Sequence, residues 1–167
     1  DLEALNLTRA AKTLGAFVQD DVSNWYVRLS RRRFWKGDGE GEDAVDKNTA
    51  FATLHTVLDA ALRLLAPFVP FTSEEIWRGL NAHRVADGSV HLQDYPQADP
   101  ALIDAPLEHA MTAAQDVVGL GRSLRQDTGL KTRQPLARLL MHSDDDRAAL
   151  LLSDERLTAI IAEELNV

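Results

Sequence analysis

Residues 7–35, LTRAAKTLGAFVQDDVSNWYVRLSRRRFW, decide how the rest of the chain is read. Apolar side chains at Leu7, Ala11, Leu14, Val18, Val22, Trp25 and Leu29 recur at steps of three and four, the stripe of an amphipathic helix. Asn24, Arg28, Arg31 and Trp35 fall along the adjacent edge, roughly 100° round the axis. The spacing predicts one long helix from about Leu7 to Trp35. Its last turns are unusual, because four arginines and a lysine lie within nine residues, Arg28 to Lys36, with large rings among and beside them. A solvated face has no need of tryptophan, and a packed core rejects so much arginine.

This cluster stands on an acidic background. The chain has 167 residues and a formal net charge of −8, which argues against a generic nucleic-acid binder but not against a local basic stripe. With 45% hydrophobic and 26% charged residues it has the composition of an ordinary globular chain, long enough for one core and a small second unit. Cysteine is absent, so disulfides, thiolate metal sites and thiol nucleophiles are excluded. The longest apolar run, LLAPFVPF, is too short to span a bilayer and holds two prolines, so no membrane partner is expected. The first residue is Asp1 and no leader pattern follows it, so the reading expects a piece of a larger cytoplasmic protein.

After Trp35, KGDGEGED predicts a flexible acidic loop. A second helix is expected from about Asp43 to Leu65, with Phe51, Leu54, Leu58, Ala61, Leu62 and Leu65 on one side and Pro67 and Pro70 ending it. In PFTSEEIW, Thr72 and Glu75 have capping-box spacing and Phe71 is placed to staple against Ile76, predicting a short helix that ends near Asn81. ADGSVHLQDYPQADP reads as loop or extended chain. The next helix is expected to start between Pro100 and Leu107 and to end near Gly129. From Lys131 the texture changes. PLARLLMH shows partial alternation and predicts a strand, Ser143 a helix cap followed by three aspartates, Ser153 a further helix to about Glu164, and LNV the entry to a second strand. The expected fold is therefore mainly α. It is an antiparallel helical bundle over 1–129, followed over 130–167 by part of a small α/β appendage.

Catalytic patterns are poor. His55, His83, His91, His109 and His142 are scattered without metal-ligand spacing, and GDGEGED lacks the Lys-Ser/Thr of a phosphate loop. Neither a catalytic set nor a metal or cofactor site is expected. Two basic groups remain: Asn24, Arg28, Arg31, Arg32, Arg33 and Lys36, with Trp25 beside them, and then Arg122, Arg125, Lys131, Arg133 and Arg138. Arginine donates forked hydrogen bonds to phosphate and to guanine edges, and unpaired bases stack on indole and phenol rings. RNA contact and plain bundle packing both account for the first group. Trp25 lies on the apolar stripe, which favours core over base platform.

The wording of several segments resembles one family. DVSNWYVRLSRRRFW (21–35), LLAPFVPFTSEEIW (64–77), SVHLQDYP (89–96) and GLKTRQPL (129–136) are similar, in this order and at compatible spacing, to isoleucyl-tRNA synthetases of class Ia. The first two are shared in looser form by related synthetases such as the valyl, leucyl and methionyl enzymes, while NWYVR with RRRFW and KTRQPL together point to the isoleucine enzyme. The resemblance implies the anticodon-binding helical bundle, C-terminal to a catalytic Rossmann domain, gripping the anticodon stem-loop of tRNA(Ile) as a monomer. It implies that Asn24, Trp25, Arg28, Arg31, Arg32, Arg33 and Lys36 make base and phosphate contacts, and that Arg122, Arg125, Lys131 and Arg133 contact phosphates of the stem. The HIGH and KMSKS motifs are absent from these residues, so ATP and magnesium belong, on this resemblance, to a catalytic domain elsewhere in the parent chain. Besides the related synthetases, the remaining alternative is a helical module that docks acidic proteins through its basic segment.

Overall fold

The computed structural model describes residues 6–37, 41–83, 88–142 and 151–167, and the chain is mainly α-helical. It forms two compact units, Asp1–Ala98 and Asp99–Val167. The packing thus divides thirty-odd residues before the boundary read from the sequence, and the helix after Asp99 packs with the C-terminal segment.

The first unit opens with α1, Leu7–Ala16, whose N-cap Asn6 accepts from the Arg9 amide. Sequence periodicity predicts a straight continuation, but residues Phe17–Val27 widen into i→i+5 turns. The segment then regains ordinary spacing, since the Ser30 amide donates to the Tyr26 carbonyl and the Phe34 amide to that of Ser30. A turn at Ser30 precedes the short α2, Arg31–Phe34. The buried face differs from the predicted stripe. Val22 is buried as expected, but Ala10 is buried while Leu7 is exposed, and Trp25 is only half-buried rather than core. Residues 38–40 of the acidic loop lie outside the described residues.

The long helix α3 spans Glu42–Leu65, and α4 spans Pro70–Asn81. Leu62, Ala66, Trp77 and Val90 form the core between them, with Leu80 packed against it. Asp59 fixes their relative position. Its carboxylate accepts from the Trp77 indole at 2.8 Å and the Asn81 amide at 3.2 Å, and pairs with Arg63 at 2.7 Å.

The start of α4 corrects the capping box. Pro70 begins the helix, Val69 is its N-cap, and no side chain caps it; Thr72 and Glu75 are inside the first turns. Phe71 and Ile76 are exposed, so no staple forms. The next acid does different work: Glu74 accepts from the Ser89 hydroxyl at 2.8 Å and the Val90 amide at 2.9 Å, tying the SVHLQDYP loop to α4. Burial pushes the Glu74 carboxyl up, but Ser89, Val90 and Arg78 together hold it below the ordinary glutamate range.

In the second unit, α5 runs Ala105–Asp127 with Asp104 as N-cap and Pro106 in its first turn, within the window the prolines predicted. It ends through Gly129 at φ 69°, where the Leu130 amide returns to the Arg125 carbonyl. The last helix, α6, spans Glu155–Leu165 and is capped by Asp154, not Ser153. The helices α5 and α6 pack closely: a Cβ on Gly121 would lie 2.5 Å from Leu165 Cδ1. Among the described residues there is no strand. Residues 136–142 are irregular, and among the described residues the two expected strands are joined by the bond from Leu136 N–H to Asn166 C=O at 3.0 Å. Asn166 at φ 54° turns the chain after α6, which prevents LNV from running on as an extended edge. The expected cap at Ser143 falls outside the described residues, and of the helix after it only residues 151–153, which are helical, are described.

Candidate nucleic-acid interface

The first basic group is presented by α2 and the turns before it, and several ties hold this segment on α3. Tyr26 donates its hydroxyl to the carbonyl of the fully buried Ala50 at 2.9 Å. The rings of Phe34 and Phe51 sit 4.7 Å apart, a normal tilted aromatic contact. Arg33 donates to Asp46 Oδ1 at 2.8 Å and to the Asp46 carbonyl at 3.3 Å.

These ties sort the predicted contacts. Arg28, Arg31 and Arg32 are exposed, and Asn24 is exposed with its amide 3.4 Å from Asp20. Arg33 and Lys36 are half-buried and engaged within the chain: Lys36 Nζ lies 2.8 Å from Asp43 and 3.0 Å from Asp46. Hydrogen bonds that Lys36 donates to Asp43 and then Asp46 raise the Lys36 pKa, and Lys36 followed by Arg33 lowers that of Asp46 against the effect of burial. Trp25, half-buried, is neither a free platform nor a full core residue.

Trp35 is not among the contacts expected from the sequence. It follows α2 directly and is 82% exposed. An indole left in water beside arginines is a ready stacking surface for a base or a guanidinium. Its place on the same edge as Arg28 and Arg31 was the available signal.

The second basic group behaves differently. Arg125 is 4% exposed and donates to four carbonyls: Lys131 at 3.0 Å, Gln134 at 3.0 Å, Leu165 at 2.5 Å and Asn166 at 3.3 Å. It clamps the KTRQPL loop to the C-terminal end of α6, where carbonyl dipoles favour a cation. Arg122 pairs with Glu164, itself nearly buried. Of the two arginines expected at stem phosphates, Arg125 is buried with its donors engaged, while Arg122 keeps about a third of its side chain exposed beside Glu164. Lys131, Arg133 and Arg138 are exposed, and the Arg133 carbonyl accepts from Asn166.

Among the described residues no group of three or more His, Cys, Asp or Glu is placed to hold a metal ion, and no helix is long and apolar enough to cross a membrane.

The first unit is a helical bundle with a cationic, ring-bearing edge. Residues 1–140 match the family model described as the anticodon-binding domain of tRNA ligase, and the chain belongs to this family. It is 45% identical to the isoleucine–tRNA ligase of Chlamydia caviae over 99% of this chain and 15% of that protein. Identity to the Thermus thermophilus isoleucine–tRNA ligase is also 45%, over 99% of this chain and 16% of that protein. The isoleucine–tRNA ligase of Thermococcus kodakarensis is 39% identical over 99% of this chain and 15% of its own length. The chain thus spans about 15% of the length of these relatives.

Proposed function

We propose that this chain grips the anticodon stem-loop of an isoleucine tRNA while a catalytic domain of the parent protein, using ATP and magnesium, joins isoleucine to the tRNA end. One observation carries the reading: Arg28, Arg31, Arg32 and the Trp35 ring are exposed together on a segment pinned to α3. Arginines supply charge and forked donors to phosphates, and the indole supplies a face for an unstacked loop base. Asn24 adds an amide that donates and accepts at base edges. Lys131 and Arg133 are candidates for phosphate contact, presented by the loop that Arg125 holds. The chain acts in the cytoplasm, where tRNA is charged, as one arm of a monomeric enzyme.

The test is binding of the chain to an isoleucine tRNA transcript and to polyglutamate across a salt series. Salt-sensitive binding to the tRNA alone supports the reading. Binding to polyglutamate instead assigns the basic edge to acidic protein partners, and binding to neither overturns the proposal. The chain holds no nucleotide-binding signature and should show no isoleucine-dependent ATP–pyrophosphate exchange; exchange above background would place chemistry in these residues.

A further inference from the structure

The first unit binds two of its own cations with two of its own carboxylates. Arg33 and Lys36 follow the exposed arginines in sequence, yet both turn to the start of α3. Lys36 Nζ sits between Asp43 and Asp46, at 2.8 and 3.0 Å, and Arg33 approaches Asp46 with Nε and a terminal nitrogen, each at 2.8 Å. Asp46 also offers its backbone carbonyl to Arg33 at 3.3 Å, and the Lys36 carbonyl accepts from Lys47 at 3.0 Å. Paired oxygens at such distances from Arg and Lys reproduce what a phosphate would offer them. We propose that Asp43 and Asp46 act as an internal stand-in for RNA phosphate, withholding Arg33 and Lys36 and thereby setting how far binding depends on RNA sequence rather than on charge.

The proposal rests on the reading of this edge as an RNA interface. Its physical basis is counterion release. Each cation that meets phosphate steepens the salt dependence of binding, by about 0.7 in log–log slope for single strands and about 0.9 for duplex, irrespective of sequence. Five cations in nine residues would therefore favour any RNA. Holding two of them on α3 lowers that indiscriminate part and leaves the exposed arginines and the Trp35 ring to discriminate. The carboxylates are well placed for this. Asp46 stays ionised below the ordinary aspartate range because Lys36 and Arg33 flank it, so the block persists throughout the neutral range. Asp43 lies in the first turn of α3, where the helix dipole also favours its charge.

The experiment measures affinity of the full chain for the anticodon stem-loop of an isoleucine tRNA and for a stem-loop of unrelated loop sequence, across a salt series. Melting curves accompany each variant. The variants are Asp43→Asn with Asp46→Asn, Lys36→Gln, and the triple combination. The asparagine pair should bind both RNAs more tightly, about tenfold at 0.1 M salt, with the gain vanishing toward 1 M and the slope steeper by about 1.4–1.8 for two released cations. Preference for the isoleucine stem-loop should fall. Lys36→Gln alone should leave affinity nearly unchanged, yet remove about half of the gain when combined with the asparagine pair, a non-additivity that reports the coupling directly. The proposal is overturned if the asparagine pair weakens binding at an unchanged slope, because the carboxylates then position the segment. It is equally overturned if Lys36→Gln in the native background weakens binding and flattens the slope, because Lys36 is then already on RNA. Salt-insensitive behaviour of the unmodified chain toward both RNAs would instead remove the interface reading beneath it.

Discussion

Two arginine-rich stretches of similar composition meet opposite fates in this molecule. In 28–36, three arginines have exposed side chains and two cations lie against aspartates at the start of α3. In 122–133, the central arginine is buried under four carbonyls and its neighbour Arg122 is paired with Glu164. The difference arises from what faces each helix. The segment after Val27 borders an acidic helix start and open water. The end of α5 faces the C-terminal end of α6, a cluster of carbonyls that needs donors. Local charge density therefore does not mark an interface by itself; the acceptors within reach decide whether a cation is structural.

The comparison breaks most readily at Arg125. Arg125→Met removes a buried donor from four carbonyls and should lower stability by about 3–5 kcal/mol, as loss of a buried charged partner does. Chemical denaturation followed by circular dichroism checks it. A midpoint unchanged within error would mean that solvent satisfies those carbonyls and that Arg125 is available for RNA after all.

Gly121→Ala sharpens the same side, because the added Cβ would meet Leu165 Cδ1 at 2.5 Å. The expected loss is about 1–3 kcal/mol, the cost of overpacking where the neighbour cannot fully retreat. On the other side, Trp35→Ala should leave melting within about 0.5 kcal/mol, as substitutions of exposed residues do. It should weaken tRNA binding by about 1–3 kcal/mol if a base stacks there. Loss of stability without loss of affinity would make Trp35 a packing residue.

Arg32→Glu should flatten the salt slope by about 0.7–0.9 with no change in melting, the reverse of the Arg125 result. The smallest expected effect is acid-induced. Asp154 is held down to about 2, from 3.8, by the Arg156 side chain and then the Arg156 amide. Because the folded value is the lower one, the contribution of this cap to stability is complete above about pH 4 and is lost as pH falls toward 2. Asp154→Asn should reduce the acid dependence of melting in that window alone.

The helices were legible because periodicity and proline placement are local: α3, the end of α4 and the window for α5 follow from the sequence. Cap residues were less so. Thr72 and Glu75 satisfy a capping pattern, yet Pro70 starts the helix earlier, and a residue that suits a first turn takes precedence over one that suits a cap. The strands failed because alternation states only that a segment suits an edge, and the turn at Asn166 leaves Leu136 a single bond to form. In the site, the exposed arginines were legible from composition. The capture of Arg33 and Lys36 was not, since Asp43 and Asp46 lie beyond a glycine loop whose path the sequence does not specify. Nor was the burial of Arg125, whose partners at Leu165 and Asn166 lie about forty residues away in the chain.

The wide turns at Phe17–Val27 bear on more than the buried stripe. Each i→i+5 closure accommodates an extra residue relative to an ordinary turn, so the segment sets the angular phase between α1 and the arginines that follow it. One residue corresponds to about 100° of rotation. Length in this stretch is therefore a tuning parameter for direction: a one-residue deletion there would turn the cationic edge by about a quarter of a revolution while leaving every arginine in the chain.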